Sequence, residues 1–163
     1  MTSEVLFAEA VADQLIAWSR AAAPNETGGI LLGILGDDRP WVLCAAEVPS
    51  AAPRRYAYEL PAGVTRPIVL QARDSDPRVG YLGDWHSHPA DSRASLTDLA
   101  TYRRVLRFAF ARSEQAPLLV VVRLSPAGWV PDVMATRSWR RSPMPVTVTL
   151  TGAAPPPSLV GER

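Results

Sequence analysis

Residues 83–89 read GDWHSHP and hold both histidines of the chain, His86 and His88. With the run that precedes them, VGYLGDWHSH, they read as a strand beginning near residue 79. In a strand, residues two apart face the same side. His86 and His88 therefore project side by side, within reach of one ion. Pro89 ends the strand and fixes where the chain departs.

Working outward, GGILLGILG (28–36) reads as a second strand, with Ile30, Leu32 and Ile34 on one side and Leu31 and Leu35 on the other. Both faces are apolar, which predicts a central strand. DDRP (37–40) is a turn and WVLCAAEV (41–48) a returning strand, so the two form a hairpin. Downstream, 95–112 is predicted as a helix with Leu99, Tyr102, Leu106 and Phe110 on one face. PLLVVVRL (117–124) and WVPDVMA (129–135) make another hairpin around SPAG, and PVTVTL (145–150) is a last strand. At the other end, 4–20 reads as an amphipathic helix with Phe7, Val11, Leu15 and Trp18 on one face and Ser3 as N-cap. PSAAPRR (49–55) is a loop, YAYEL (56–60) a short strand, and 62–74 a helix interrupted at Pro67. The tail 151–163 reads as disordered. Helices mixed with hairpin-joined strands predict an α+β domain over 1–150.

The chain has 163 residues, enough to bury a core without disulfides or metal staples. A net charge of +1 gives no electrostatic reason to expect nucleic acid or an anionic membrane as partner. No stretch approaches the length of a membrane span. The single cysteine, Cys44, sits in an apolar run and reads as a buried strand residue. These features predict a cytoplasmic protein. All 17 basic residues are arginine, which fits GC-rich codon usage or a chain spared from lysine-directed modification. Arg103, Arg104 and Arg107 read as a solvated helix face.

Zinc commonly takes four ligands, three from protein at a catalytic site with water in the fourth position. His86 and His88 supply two. Asp98, in SLTD at the start of the long helix, is the candidate for the third. Asp84 shares the histidines' face but makes a poor third corner from the same rigid strand. Asp91, in the loop, stays open on spacing alone. Ser95-x-x-Asp98 is also an ordinary helix N-terminus, and the two roles are compatible.

GDWHSHP followed by SLTD, with ETGGILLG (26–33) upstream, resembles the JAMM zinc metallopeptidase family, whose domain is also called MPN. The resemblance covers about residues 5–135. It implies a cytidine-deaminase-like mixed β-sheet flanked by helices. It further implies that His86, His88 and Asp98 bind one zinc ion with water at the fourth position. Glu26 would act as general base and Ser95 would stabilise the oxyanion. Two features depart from the family pattern: the interval from His88 to Ser95 is one residue shorter, and Ala94 stands where a proline is common. Active members mostly cleave the bond after the C-terminal glycine of ubiquitin or a ubiquitin-like protein. The chain resembles stand-alone prokaryotic members, which often accompany ubiquitin-like conjugation systems with E1-like and E2-like proteins, some of them antiviral, or sulfur-carrier proteins. The expected activity is a zinc isopeptidase or peptidase on a ubiquitin-like protein or its conjugate, with RRYAYEL (54–60) as a candidate edge for its extended tail. The alternatives are a non-catalytic scaffold subunit and a peptidase acting on a sulfur carrier. A deaminase-like hydrolase would need a P-C-x-x-C pair that one cysteine cannot supply.

Overall fold

The computed structural model describes residues 4–36, 39–111, 116–136 and 140–152, with the side chains of 108, 110 and 111 left out. In chain order the elements are β1 (Glu4–Ala8), α1 (Glu9–Ala22), β2 (Gly28–Leu35), β3 (Pro40–Glu47), α2 (Thr65–Ser75), β4 (Gly80–His88), α3 (Leu96–Ala111), β5 (Leu118–Ser125), β6 (Gly128–Ala135), β7 (Met144–Pro145) and β8 (Thr147–Thr151). Eight strands form one mixed sheet in the order β7-β6-β5-β4-β2-β3-β1-β8. β2 lies between β4 and β3, antiparallel to both, and seven of its eight residues are buried, as expected of a strand apolar on both faces.

β7 and β8 stand at opposite ends of this order, yet Val146 alone separates them in the chain. Strands pack roughly 4.8 Å apart, so a flat eight-stranded sheet could not be bridged this way. The sheet must curl until residues 144–151 link β6 to β1. Val146 N–H donates to the Val133 carbonyl at 3.1 Å on one side, and β8 pairs with β1 in parallel on the other. α1 packs into the concave side. Val11 and Leu15 meet Phe7, Leu31, Val42, Trp85, Val120, Val122 and Val133 in the principal core, and Trp18 stacks on Trp85 with ring centroids 5.7 Å apart.

The convex side carries the other two helices. Alternation along β2 sends Leu31 inward and Ile30 and Leu32 outward, where Ile68, Val69 and Ala72 of α2 cover them. α3 packs through Tyr102 and Leu106 on Leu119 of β5. His86 and His88 pair across the sheet with Gly28 and Arg123. Asp84, on their face, pairs with the outward Ile30, so the histidines open on the convex side near the covers of both helices.

Several local expectations change. Residues 4–8 are a strand, not the first turn of a helix, because β1 is held in parallel by two partners distant in sequence, β3 and β8. YAYEL is irregular, not a strand. Pro67 does not interrupt α2: it falls in the first turn, where a backbone N–H has no helical partner to lose. Cys44 is half-buried, and burial raises its thiol pKa. Ser3, the Phe110 side chain and the tail beyond Gly152 lie outside the described residues, while Thr151 completes β8. Among the described residues no helix is long and apolar enough to cross a membrane.

Candidate metal centre

Strand parity sorts the end of β4. Trp85 turns into the core and donates from Nε1 to the Ala46 carbonyl at 3.1 Å. His86 and His88 turn to the other face and are nonetheless buried. Ser87, fully buried between them, ties in the upstream motif. Its N–H donates to the Thr27 carbonyl at 2.7 Å, and its Oγ accepts the Thr27 N–H at 2.9 Å. Thr27 Oγ1 donates in turn to Glu47 at 2.8 Å. Glu26, the residue before Thr27, is thereby fixed beside the histidines, and its own N–H donates to the Arg54 carbonyl at 2.8 Å. The glycines that follow make room for this approach. A Cβ on Gly28 would fall 2.5 Å from both the Trp85 carbonyl oxygen and the Tyr58 ring.

Asp98 arrives from the N-terminus of α3. Its N–H donates to Ser95 Oγ at 3.1 Å and its Oδ2 accepts the Ser95 N–H at 2.6 Å, a reciprocal cap with Asp in the usual Glu position. The cap and the cluster use the same carboxylate. Asp98 Oδ1 lies 3.3 Å from His86 Nε2, Asp98 Oδ2 lies 3.3 Å from His88 Nε2, and the two Nε2 atoms are 3.1 Å apart. A tetrahedral ion with bonds of about 2.0–2.1 Å spaces its ligand atoms roughly 3.3 Å apart. Two imidazoles and a carboxylate at these separations fit a divalent ion of the zinc type. Glu26 Oε1 stands 3.9 Å from His88 Nε2, beside the triangle and not part of it.

The electrostatics follow the geometry. Burial alone would raise the Asp98 carboxyl, but hydrogen bonds from His86 and His88 hold it far below the carboxylate range. Burial pushes Glu26 up, with the imidazoles opposing, so it is a stronger base than an exposed glutamate. Burial would lower His88, but the carboxylates of Asp98 and Glu26 and the Ser92 carbonyl raise it overall.

The shortened loop therefore does return Asp98 to the histidines. Asp84 stays below the cluster, accepting from Tyr81 Oη at 2.8 Å, and burial raises its carboxyl to about 6. Asp91 turns to Arg123 instead of the cluster. Ser95 is exposed at the rim, its Oγ accepting the capping bond while its hydrogen remains able to donate outward. Tyr58 was not singled out by sequence reasoning. Its ring lies nearly parallel to His86 with centroids 6.5 Å apart, and its hydroxyl donates to the Val48 carbonyl at 2.7 Å. No local pattern marks it, because its place depends on how an irregular segment crosses β2.

Comparison with known proteins gives the chain's fold and family. A CD-NTase/cGAS isopeptidase from Pseudomonas aeruginosa is 29% identical over 101 residues, 60% of this chain and 61% of the relative. The match thus spans less than two thirds of the relative's length. The solution structure of protein DSY2949 from Desulfitobacterium hafniense superposes with a TM-score of 0.63 at 20% identity, covering 91% of this chain and 93% of that one, and so shares the fold. Residues 8–142 match the family of prokaryotic homologs of the JAB domain. That span takes in strands β2 to β6, both histidines and the capped aspartate, and the chain belongs to this family.

Proposed function

We propose that this chain is a zinc-dependent isopeptidase or peptidase that hydrolyses the bond after the C-terminal glycine of a ubiquitin-like protein. The observation that carries the reading is the triangle of His86, His88 and Asp98 with Glu26 held beside it. His86, His88 and Asp98 would hold the zinc ion, which would supply Lewis acidity for the scissile carbonyl and for the attacking water. The chain's own residues do the rest. Glu26, raised by burial, takes the proton of the attacking water and passes it to the leaving amine. The Ser95 hydroxyl, at the rim and anchored by its cap, donates to the oxygen on which charge develops. Family membership and the isopeptidase-named relative support an amide-hydrolysing reaction. That relative's name, CD-NTase/cGAS isopeptidase, also suggests a substrate class for this chain, an isopeptide conjugate of a CD-NTase-type enzyme; the E1-like and E2-like partners expected from the sequence resemblance would make such a conjugate.

The test is cleavage of a Gly–Nε-lysine isopeptide and of a linear glycine-ended fusion by the full chain, before and after chelation. Cleavage lost on chelation and restored by one equivalent of Zn2+ is the expected result. A protein that binds zinc yet cleaves neither substrate, and instead forms a stable complex with the ubiquitin-like protein, would assign it a scaffold role.

A further inference from the structure

The chain leaves β4 at His88 and must bring a carboxylate back to it at Asp98, with only residues 89–95 between strand and helix. Three contacts set the course of that loop. His88 Nδ1 faces the Ser92 carbonyl oxygen at 2.8 Å, with the Ser92 hydroxyl oxygen farther off at 3.3 Å. A carbonyl can only accept, so Nδ1 carries the hydrogen and Nε2 turns its lone pair to the cluster. Ser92 N–H donates back to the Ala90 carbonyl at 2.9 Å, tightening the turn. Asp91, between them, is gripped from the sheet: Arg123 Nη1 donates to Asp91 Oδ1 at 2.5 Å.

Arg123 is not a surface residue that happens to meet an acid. It sits in β5 directly opposite His88 in the parallel pairing, and its side chain is 17% exposed. Its Nε donates to Asp132 Oδ2 of β6 at 2.6 Å. One arm of the guanidinium is thus fixed to the sheet before the other reaches the loop. The planar fork of arginine suits this double task, which the single ammonium of lysine would meet with less directionality. The two carboxylates also offset the guanidinium's charge, so no net positive charge is added beside a cation site.

We propose that Arg123, braced by Asp132 and holding Asp91, is a positioning residue that sets the 89–95 loop so that the Ser92 carbonyl keeps His88 in its metal-binding tautomer and Asp98 reaches the cluster. The proposal rests on the metal-centre reading of His86, His88 and Asp98. The shorter the loop, the less slack it has, and one clamp beside its start fixes both ligands that flank it. Arg123 touches no reacting group. It acts through the loop.

The experiment titrates Co2+ and Zn2+ alone into the chelator-treated full chain, for wild type, Arg123→Ala, Arg123→Lys and Asp91→Ala. Affinity is read by competition with a chromophoric chelator, and ligand geometry by the visible absorption of bound Co2+. Wild type is expected to bind one equivalent with the strong bands of a four-coordinate ion. Arg123→Ala and Asp91→Ala should each weaken binding by roughly 10–100-fold, the usual effect of losing an outer-shell support, and shift the Co2+ bands. In the Arg123→Ala/Asp91→Ala double variant their effects should not add, because the Asp91–Arg123 contact is lost in each single variant already. Arg123→Lys should recover part of the loss. Asp91 is 53% exposed, so Asp91→Ala should melt as wild type does, and it decides the matter alone should Arg123→Ala fail to fold. Wild-type affinity and spectrum in Asp91→Ala would overturn the clamp. A wild-type chain that binds neither metal would instead overturn the metal-centre reading beneath it.

Discussion

At the scale of the residue, Asp98 does two things with one carboxylate. It closes the cap of α3 through Oδ2 and faces both imidazoles. Asparagine can keep the capping bond but not the charge. Asp98→Asn should therefore still fold without metal, since a capping box takes an amide as well as a carboxylate at this position, losing only what the charge gains from the two imidazoles. Its metal affinity should fall by more than about 100-fold, beyond the usual outer-shell effect. Chelator competition and urea melts separate the two outcomes, and a parallel loss of both would mean that the residue is structural alone. The histidine pair was legible from parity, since H-x-H in a strand places both rings on one face. Tyr58 and Arg123 were not, because a ring over Gly28 and a guanidinium beside His88 depend on which strands become neighbours.

At the scale of the element, β4 and the start of β2 act as one unit through Ser87 and Thr27. Their two hydrogen bonds place Glu26 at the cluster although sixty residues separate it from His86. Ser87→Ala would leave the buried Thr27 N–H without its acceptor, at a cost of about 1–3 kcal/mol. It should also lower turnover more than metal affinity, because Glu26 loosens while the three ligands stay. Equal metal affinity with unchanged turnover would show that the link does not position Glu26. The hairpins and the helix over 95–112 were readable because their signals are local: alternation, turn residues and a cap. β1 was not. Phe7 fits a helical stripe with Val11 and Leu15 as well as it fits a strand, and only pairing of β1 with Trp41 and Thr149 and their neighbours decides between the two. YAYEL failed in the opposite sense: its aromatic residues favour a strand, but no edge takes it up.

At the scale of the molecule, the sheet closes around α1 through the strand pair joined at Val146, and that closure holds the convex face on which the site is built. Val146 packs on the principal core. Val146→Asp would set a charge against the core at a half-buried site in the seam and should cost about 1–3 kcal/mol. Leu150→Ser, at a site 55% exposed in the adjoining strand β8, should stay within about 0.5 kcal/mol of wild type. Comparable thermal melts for the two variants would contradict closure at the seam. The closing order could not be read from the chain, because a parallel pairing between its first and last strands leaves no local trace. The central claim, that three residues hold the metal while Glu26 moves the proton, is tested most directly by zinc content and turnover of Glu26→Gln measured on the same sample. One equivalent of zinc with activity reduced by about 100-fold or more is the expected result. Full activity at that zinc content, or loss of the metal itself, would contradict it.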